Sequence, residues 1–143
     1  EVQKLARQHG TSLIWITHDL SVVAGLADEV AVMYAGRIVE HGHVDAVLDH
    51  PMHPYTTGLI GSLPSNNKRG ERLKQIPGMT PNLLNLPAGC AFAARCERAS
   101  SACSAQPELT EPLSGRLLRC FHPLIEEGAR ASAFHKTNWT SRP

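Results

Sequence analysis

Leu13-Ile14-Trp15-Ile16-Thr17-His18-Asp19-Leu20 is the stretch on which the reading of this chain turns. The first five residues are a short apolar run rich in β-favouring side chains, the pattern of a parallel strand buried on both faces. Asp19 is placed to cap a helix whose inner face is Leu20, Val23, Ala24 and Ala27. Val30-Ala31-Val32-Met33-Tyr34 follows as a second buried strand. Strand, short helix and strand predict a βαβ unit with a right-handed crossover. Upstream, Val2, Leu5, Ala6 and His9 fall at helical spacing, and Gly10 stands where a helix stop belongs. Downstream, Ala35-Gly36 supplies a turn, so Arg37-Ile38-Val39-Glu40 returns as the second arm of a hairpin.

Beyond the hairpin, Val44, Val47 and Leu48 predict one more short helix, ended by His50-Pro51 because the residue before proline is pushed out of helical geometry. Pro54 opens the next helix, with Tyr55, Leu59, Ile60 and Leu63 along one side and Pro64 closing it. Residues 65–70 are polar and read as a linker. The segment after it is rich in proline, carries all four cysteines and has little regular periodicity. A segment so poor in apolar surface is expected to need a staple. Residues 129–143 show no pattern and are expected to be disordered.

Composition excludes several classes. Apolar residues make up 42% and charged residues 19%, ordinary for a soluble globular protein. With 14 basic and 13 acidic residues the net charge is +1, which gives no electrostatic footprint for nucleic acid. No stretch approaches the ~18 apolar residues of a membrane-spanning helix, and no basic-then-apolar leader stands at the start. Asn138-Trp139-Thr140 fits the glycosylation pattern by chance on this reading. The chain opens at Glu1, inside a helical pattern, and is read as a fragment.

His18 falls at the predicted C-terminal end of a strand, the edge where open α/β sheets bind ligands. A histidine there can donate a hydrogen bond to a phosphate oxygen. By itself such a residue more often serves structure. Its surroundings are informative: residues 13–20, then Ala27-Asp28-Glu29-Val30 and Met33-Tyr34-Ala35-Gly36-Arg37-Ile38-Val39-Glu40-His41-Gly42, resemble the pattern around the switch histidine of ABC ATPases. The resemblance implies that His18 contacts the γ-phosphate of ATP and helps position the attacking water, in a reaction where positioning and charge stabilisation supply nearly all the catalysis. It also implies the fold class: α/β, the end of a P-loop NTPase (ABC ATPase) domain with a βαβ unit, followed by a loop-rich four-cysteine C-terminal extension. No Gly-x-x-x-x-Gly-Lys-Ser/Thr loop, no signature glycine-rich segment and no strand ending in Asp-Glu occurs in the chain. The chain alone is therefore expected not to hydrolyse ATP.

His50-Pro51-x-His53-Pro54-Tyr55-Thr56-x-Gly58-Leu59 resembles the segment that follows the ATPase domain in oligopeptide and dipeptide importers. From the residues alone this stretch is structural: a turn, a proline helix start and packing by Tyr55. Ile76-Pro77-Gly78, Pro81-Asn82-Leu83 and the run from Leu86-Pro87 to Gly89-Cys90 continue the resemblance. The implied organisation is residues 1–50 as the end of the ATPase domain, 51–64 as a His-Pro-Tyr helical segment, 65–128 as the extension and 129–143 as a tail.

Cys90, Cys96, Cys103 and Cys120 are spaced C-x5-C-x6-C-x16-C. Two disulfides would suit a secreted chain. A zinc site usually shows C-x2–4-C pairs, and none is present. Four thiolates also hold an iron–sulfur cluster, which tolerates varied spacing. Spacing leaves zinc and cluster open. Leu86-Pro87-Ala88-Gly89-Cys90-Ala91-Phe92-Ala93-Ala94-Arg95-Cys96, then Cys103, Pro107 and Cys120, resembles the peptide-importer extension that binds a 4Fe-4S cluster, with Glu97 standing where that family commonly has proline. The resemblance implies all four cysteines as ligands, with zinc as the alternative metal and His122 as a surface residue. For the intact protein it implies ATP with Mg2+ and a place at the cytoplasmic face of the inner membrane. Its implied partners are a second ABC ATPase subunit, two transmembrane permease subunits and, indirectly, an extracytoplasmic peptide-binding protein, with no nucleic acid. A stand-alone iron–sulfur or zinc interaction module, or a related importer of nickel or another solute, are the competing readings.

Overall fold

The computed structural model describes residues 2–68, 70 and 72–125. The expected tail at 129–143 and the Asn138 pattern lie outside them. Helix α1 (Val2–His9) closes at Gly10, whose φ of +60° supplies the left-handed residue that lets Thr11 N donate to Ala6 O at 2.9 Å. Helix α2 (Leu20–Leu26) is capped as the sequence predicts: the Asp19 carboxylate accepts from Ser21 N at 2.9 Å.

Strands β1 (Glu29–Tyr34) and β2 (Arg37–His43) form the expected hairpin. Both turn residues, Ala35 and Gly36, have positive φ (48° and 77°), the backbone of a tight turn that matches strand twist. The register slips between Val32 and Met33, leaving Val39 as the extra residue in β2. The bulge turns both Val39 and Glu40 inward, where a regular strand would alternate. Helices α3 (Val44–Asp49) and α4 (Pro54–Gly61) follow, the second opened by Pro54 as predicted, and a 3₁₀ turn begins at Pro64.

The loop-rich segment contains more order than its composition suggests. It holds 3₁₀ turns at Ala93–Arg95 and Ser101–Ser104 and a second hairpin, β3 (Thr110–Leu113) and β4 (Arg116–Leu118). Strand β4 pairs with β2, so one antiparallel sheet of order β1-β2-β4-β3 draws strands from both sides of the 65–70 stretch.

The predicted βαβ unit does not form among the described residues. Residues 13–17 join no ladder, and the Ile14 and Ile16 side chains are each 94% exposed. An apolar strand of this kind needs a neighbour to complete its hydrogen bonds and a layer on each face, and the described elements offer it neither. Every strand pairing seen is antiparallel.

The core is built on Val32, Tyr34, Val39, Val47 and Phe92. Tyr34, Tyr55 and Phe92 form a ring triad with centroid separations of 4.6, 5.2 and 5.5 Å, edge-to-face or tilted throughout. Beneath it lies the feature with most at stake energetically. Glu40 is fully buried, and its two oxygens accept from Met52 N (2.7 Å), His53 N (2.9 Å) and Arg116 Nη2 (2.6 Å). Arg116 also donates to Ala46 O at 2.6 Å and His50 O at 3.0 Å. Its side chain lies across Gly42, where a Cβ would stand 2.5 Å from the arginine Cδ, so β2 admits no side chain there.

Removing one member of this pair strands a buried charge, which costs about 3–5 kcal/mol, whereas replacing both with apolar groups costs far less. Glu40→Met and Arg116→Met should therefore each lower urea-unfolding stability by that amount, and the double variant by clearly less than their sum. Additive losses would show that the two side chains act independently.

Candidate functional site

His18 is exposed and stands at the entrance to α2, between Thr17, whose hydroxyl accepts from Asp19 N at 3.0 Å, and the capping Asp19. The Asp19 carboxyl is held below its ordinary pKa, first by the Ser21 backbone N–H and then by the Ser21 hydroxyl. The position differs from the sequence expectation, because no strand ladder precedes His18. His18 borders an open cleft of about 2650 Å³, shared with Trp15, Leu20, Val23, Val30 and Met33. None of the four cysteines borders that cleft.

The four cysteines are free thiols, Cys103 buried and the others half-buried. Two loops meet at Gly89, where an added Cβ would fall 2.4 Å from Cys103 O. This close approach lets Cys90 N donate to Cys103 O at 2.9 Å. The Cys120 sulfur accepts from His122 N at 3.3 Å, and the His122 ring is hydrogen-bonded to the Ser100 hydroxyl at 2.6 Å. Electrostatics report how the thiols stand to one another. Burial pushes the Cys120 thiol up to about 11, the His122 N–H opposes it, and the charges of Cys96, Cys90 and Cys103 add to the rise. Burial likewise raises Cys90, against the pull of the Phe92 N–H and with added repulsion from Cys103 and Cys96. The fold thus brings the four sulfurs into one region. No group of three or more His, Cys, Asp or Glu side chains among the described residues is arranged to hold a metal ion. The donor chemistry, four unpaired thiols with no disulfide, fits a thiolate-ligated group.

His53 joins the thiol region to the buried ion pair. It is 1% exposed, and its Nδ1 accepts from Tyr55 N at 3.0 Å, capping α4. The ring packs 5.7 Å from Phe92, between Cys90 and Cys96 in sequence. Burial pushes its pKa down to about 4, outweighing the attraction of Glu40. Sequence reasoning assigns His53 a structural part and passes over Glu40 and Arg116. The available signal was Ser114-Gly115, a turn dipeptide that places Arg116 at a strand start.

Comparison with known proteins defines the class first. Residues 39–103 match the family described as "Oligopeptide/dipeptide transporter, C-terminal region". Individual relatives agree. The Oligopeptide transport ATP-binding protein OppD of Escherichia coli (strain K12) is 48% identical over 125 residues, covering 87% of this chain and 37% of that protein. OppD of Haemophilus influenzae is 46% identical over 120 residues, 84% of this chain and 37% of that protein. The Oligopeptide transport ATP-binding protein AppD of Bacillus subtilis (strain 168) is 45% identical over 132 residues, 92% of this chain and 40% of that protein. The chain matches the C-terminal region of these oligopeptide-transport ATP-binding proteins and spans little more than a third of their length. No helix among the described residues is long and apolar enough to cross a membrane.

His53 yields a pH prediction. Its folded pKa, about 4, lies below the ordinary 6.5, so between those values the unfolded chain binds a proton that the folded chain does not. Its contribution is therefore complete above pH 6.5 and lost as pH falls toward 4. Thermal melts from pH 7.5 to 4.5 should show Tm falling more steeply for the wild type than for His53→Gln. Parallel slopes would mean that His53 is not held neutral.

Proposed function

We propose that this chain supplies the switch-histidine segment and C-terminal extension of a subunit that binds and hydrolyses ATP with Mg2+ to drive import of short peptides. The observation that carries the reading is the 48% identity over 125 residues to a protein named for oligopeptide transport and ATP binding. In this reading residues 1–50 end the ATPase domain, 51–64 form its helical connection and 65–128 are the extension. The subunit works at the cytoplasmic face of the inner membrane. It pairs with a second ATPase subunit and acts on two transmembrane permease subunits, with an extracytoplasmic peptide-binding protein delivering substrate.

His18 is the catalytic residue of the proposal. An exposed imidazole at the head of a capped helix is free to donate a hydrogen bond to a phosphate oxygen and to orient the water that attacks it. With no Gly-x-x-x-x-Gly-Lys-Ser/Thr loop in residues 1–143, that chemistry belongs to the whole protein. Cys90, Cys96, Cys103 and Cys120 are the proposed ligands of a 4Fe-4S cluster. What supports this is the chemistry of the donor set: four free thiols in one region, two of them raised by burial and mutual repulsion, a cost that a cationic centre among them would offset. When bound, such a cluster would tie the loops of the extension together.

In the whole subunit assembled with its partners, His18→Ala should leave ATP binding in place and slow hydrolysis by about 10²–10³-fold, the usual effect of losing one transition-state hydrogen-bond donor. Near-normal turnover would remove His18 from the reaction.

A further inference from the structure

Two arginines unused by the reading above stand immediately before two of the thiols. Arg95, ahead of Cys96, donates from Nε to Pro77 O at 2.8 Å, from Nη2 to Ile76 O at 3.2 Å and from Nη1 to the Tyr34 hydroxyl at 3.4 Å. The 77–78 turn wraps its stem: Gly78 has φ +73°, and a Cβ there would stand 3.3 Å from Arg95 Cγ. Arg119, ahead of Cys120, donates from its backbone N to Val39 O at 2.9 Å, from Nε to Ile38 O at 3.2 Å and from Nη1 to Pro107 O at 3.0 Å. The Val39 carbonyl it uses belongs to the bulged residue of β2. Cys90 and Cys103 are fixed differently, to each other, through the Gly89 approach and the Cys90 N to Cys103 O bond.

We propose that Arg95 and Arg119 are positioning residues for the thiol site, each clamping its neighbouring cysteine to the β1-β2 hairpin so that Cys96 and Cys120 are set in place by protein contacts before any metal is bound. The inference rests on the reading of the four thiols as one ligand set. Its physical basis is the guanidinium itself. A rigid fork of five donors can satisfy two or three carbonyls from separate segments at once, whereas a lysine ammonium reaches them as a single point on a flexible stem. Each clamp also spans a long sequence separation, Arg95 to Tyr34 and Arg119 to Ile38. The loops bearing the thiols are thereby tied to the sheet and not only to one another.

The test uses the reduced, metal-free protein and iodoacetamide, with labelling of each cysteine followed by peptide mass spectrometry. Arg119→Met should speed labelling of Cys120 by about tenfold or more, because release from the Ile38 and Pro107 carbonyls exposes the half-buried sulfur to the reagent. Arg95→Met should act likewise on Cys96, and in both variants Cys90 and Cys103 should change little. Arg119→Lys should resemble Arg119→Met rather than the wild type. An equal rise at all four thiols would mean the arginines merely hold the fold, and unchanged labelling would mean they hold nothing; either overturns the proposal. Reconstitution with ferrous iron and sulfide without oxygen gives an independent readout, expected to show less iron per chain in both Met variants. A wild type that takes up no iron and sulfide would remove the cluster reading alone, since the labelling pattern still decides the clamp.

Discussion

A single buried carboxylate organises this molecule. Glu40 receives three donors, two from the backbone at the start of the α4 segment and one from Arg116 on the second hairpin. A charged group wholly removed from water is tolerable only when such partners replace its hydration. Meeting that requirement fixes the rest. The β2 bulge turns Glu40 inward next to Val39, Gly42 leaves room for the Arg116 stem, and Arg116 reaches carbonyls at Ala46 and His50 to satisfy the end of α3. Residues separated by up to 76 positions are thus held at one point.

From that point outward the thiol region follows. His53 takes its backbone N–H to Glu40 and its ring to Phe92, so the helix start and the ring triad share one anchor. Residues 76–118 are thereby part of the same sheet and core as the β1-β2 hairpin, and do not hang from it by the thiols alone. This changes the energetic question posed by its composition. A proline-rich segment whose composition calls for a staple has two kinds: a short hairpin added to an existing sheet, and arginines bonded to carbonyls of the hairpin and of neighbouring loops.

Much of the fold could be read locally. The Gly10 stop, the Asp19 cap, the Ala35-Gly36 turn, the His50-Pro51 break and the Pro54 start each depend on a few adjacent residues, and each is where the sequence places it. What escaped depends on distance. The parallel pairing of residues 13–17 needs a neighbouring strand that composition cannot supply, while β3 and β4 are short and owe their place to Arg116 meeting Glu40. Of the candidate site, His18 and the cysteines are singled out by motif alone. Their surroundings were not, because the neutral state of His53 and the shared repulsion of the thiols arise only once separate loops are brought together.

Glu40 joins both parts of the chain into one cooperative unit. Native-state amide hydrogen exchange tests it at the residues concerned. The N–H groups of Met52 and His53, which Glu40 accepts, and that of Arg119, which joins the 116–120 segment to β2, should exchange with the same opening free energy, equal to that of global unfolding. Met52 and His53 amides that stay protected while Arg119 opens at much lower free energy would contradict it, showing that the two parts unfold separately.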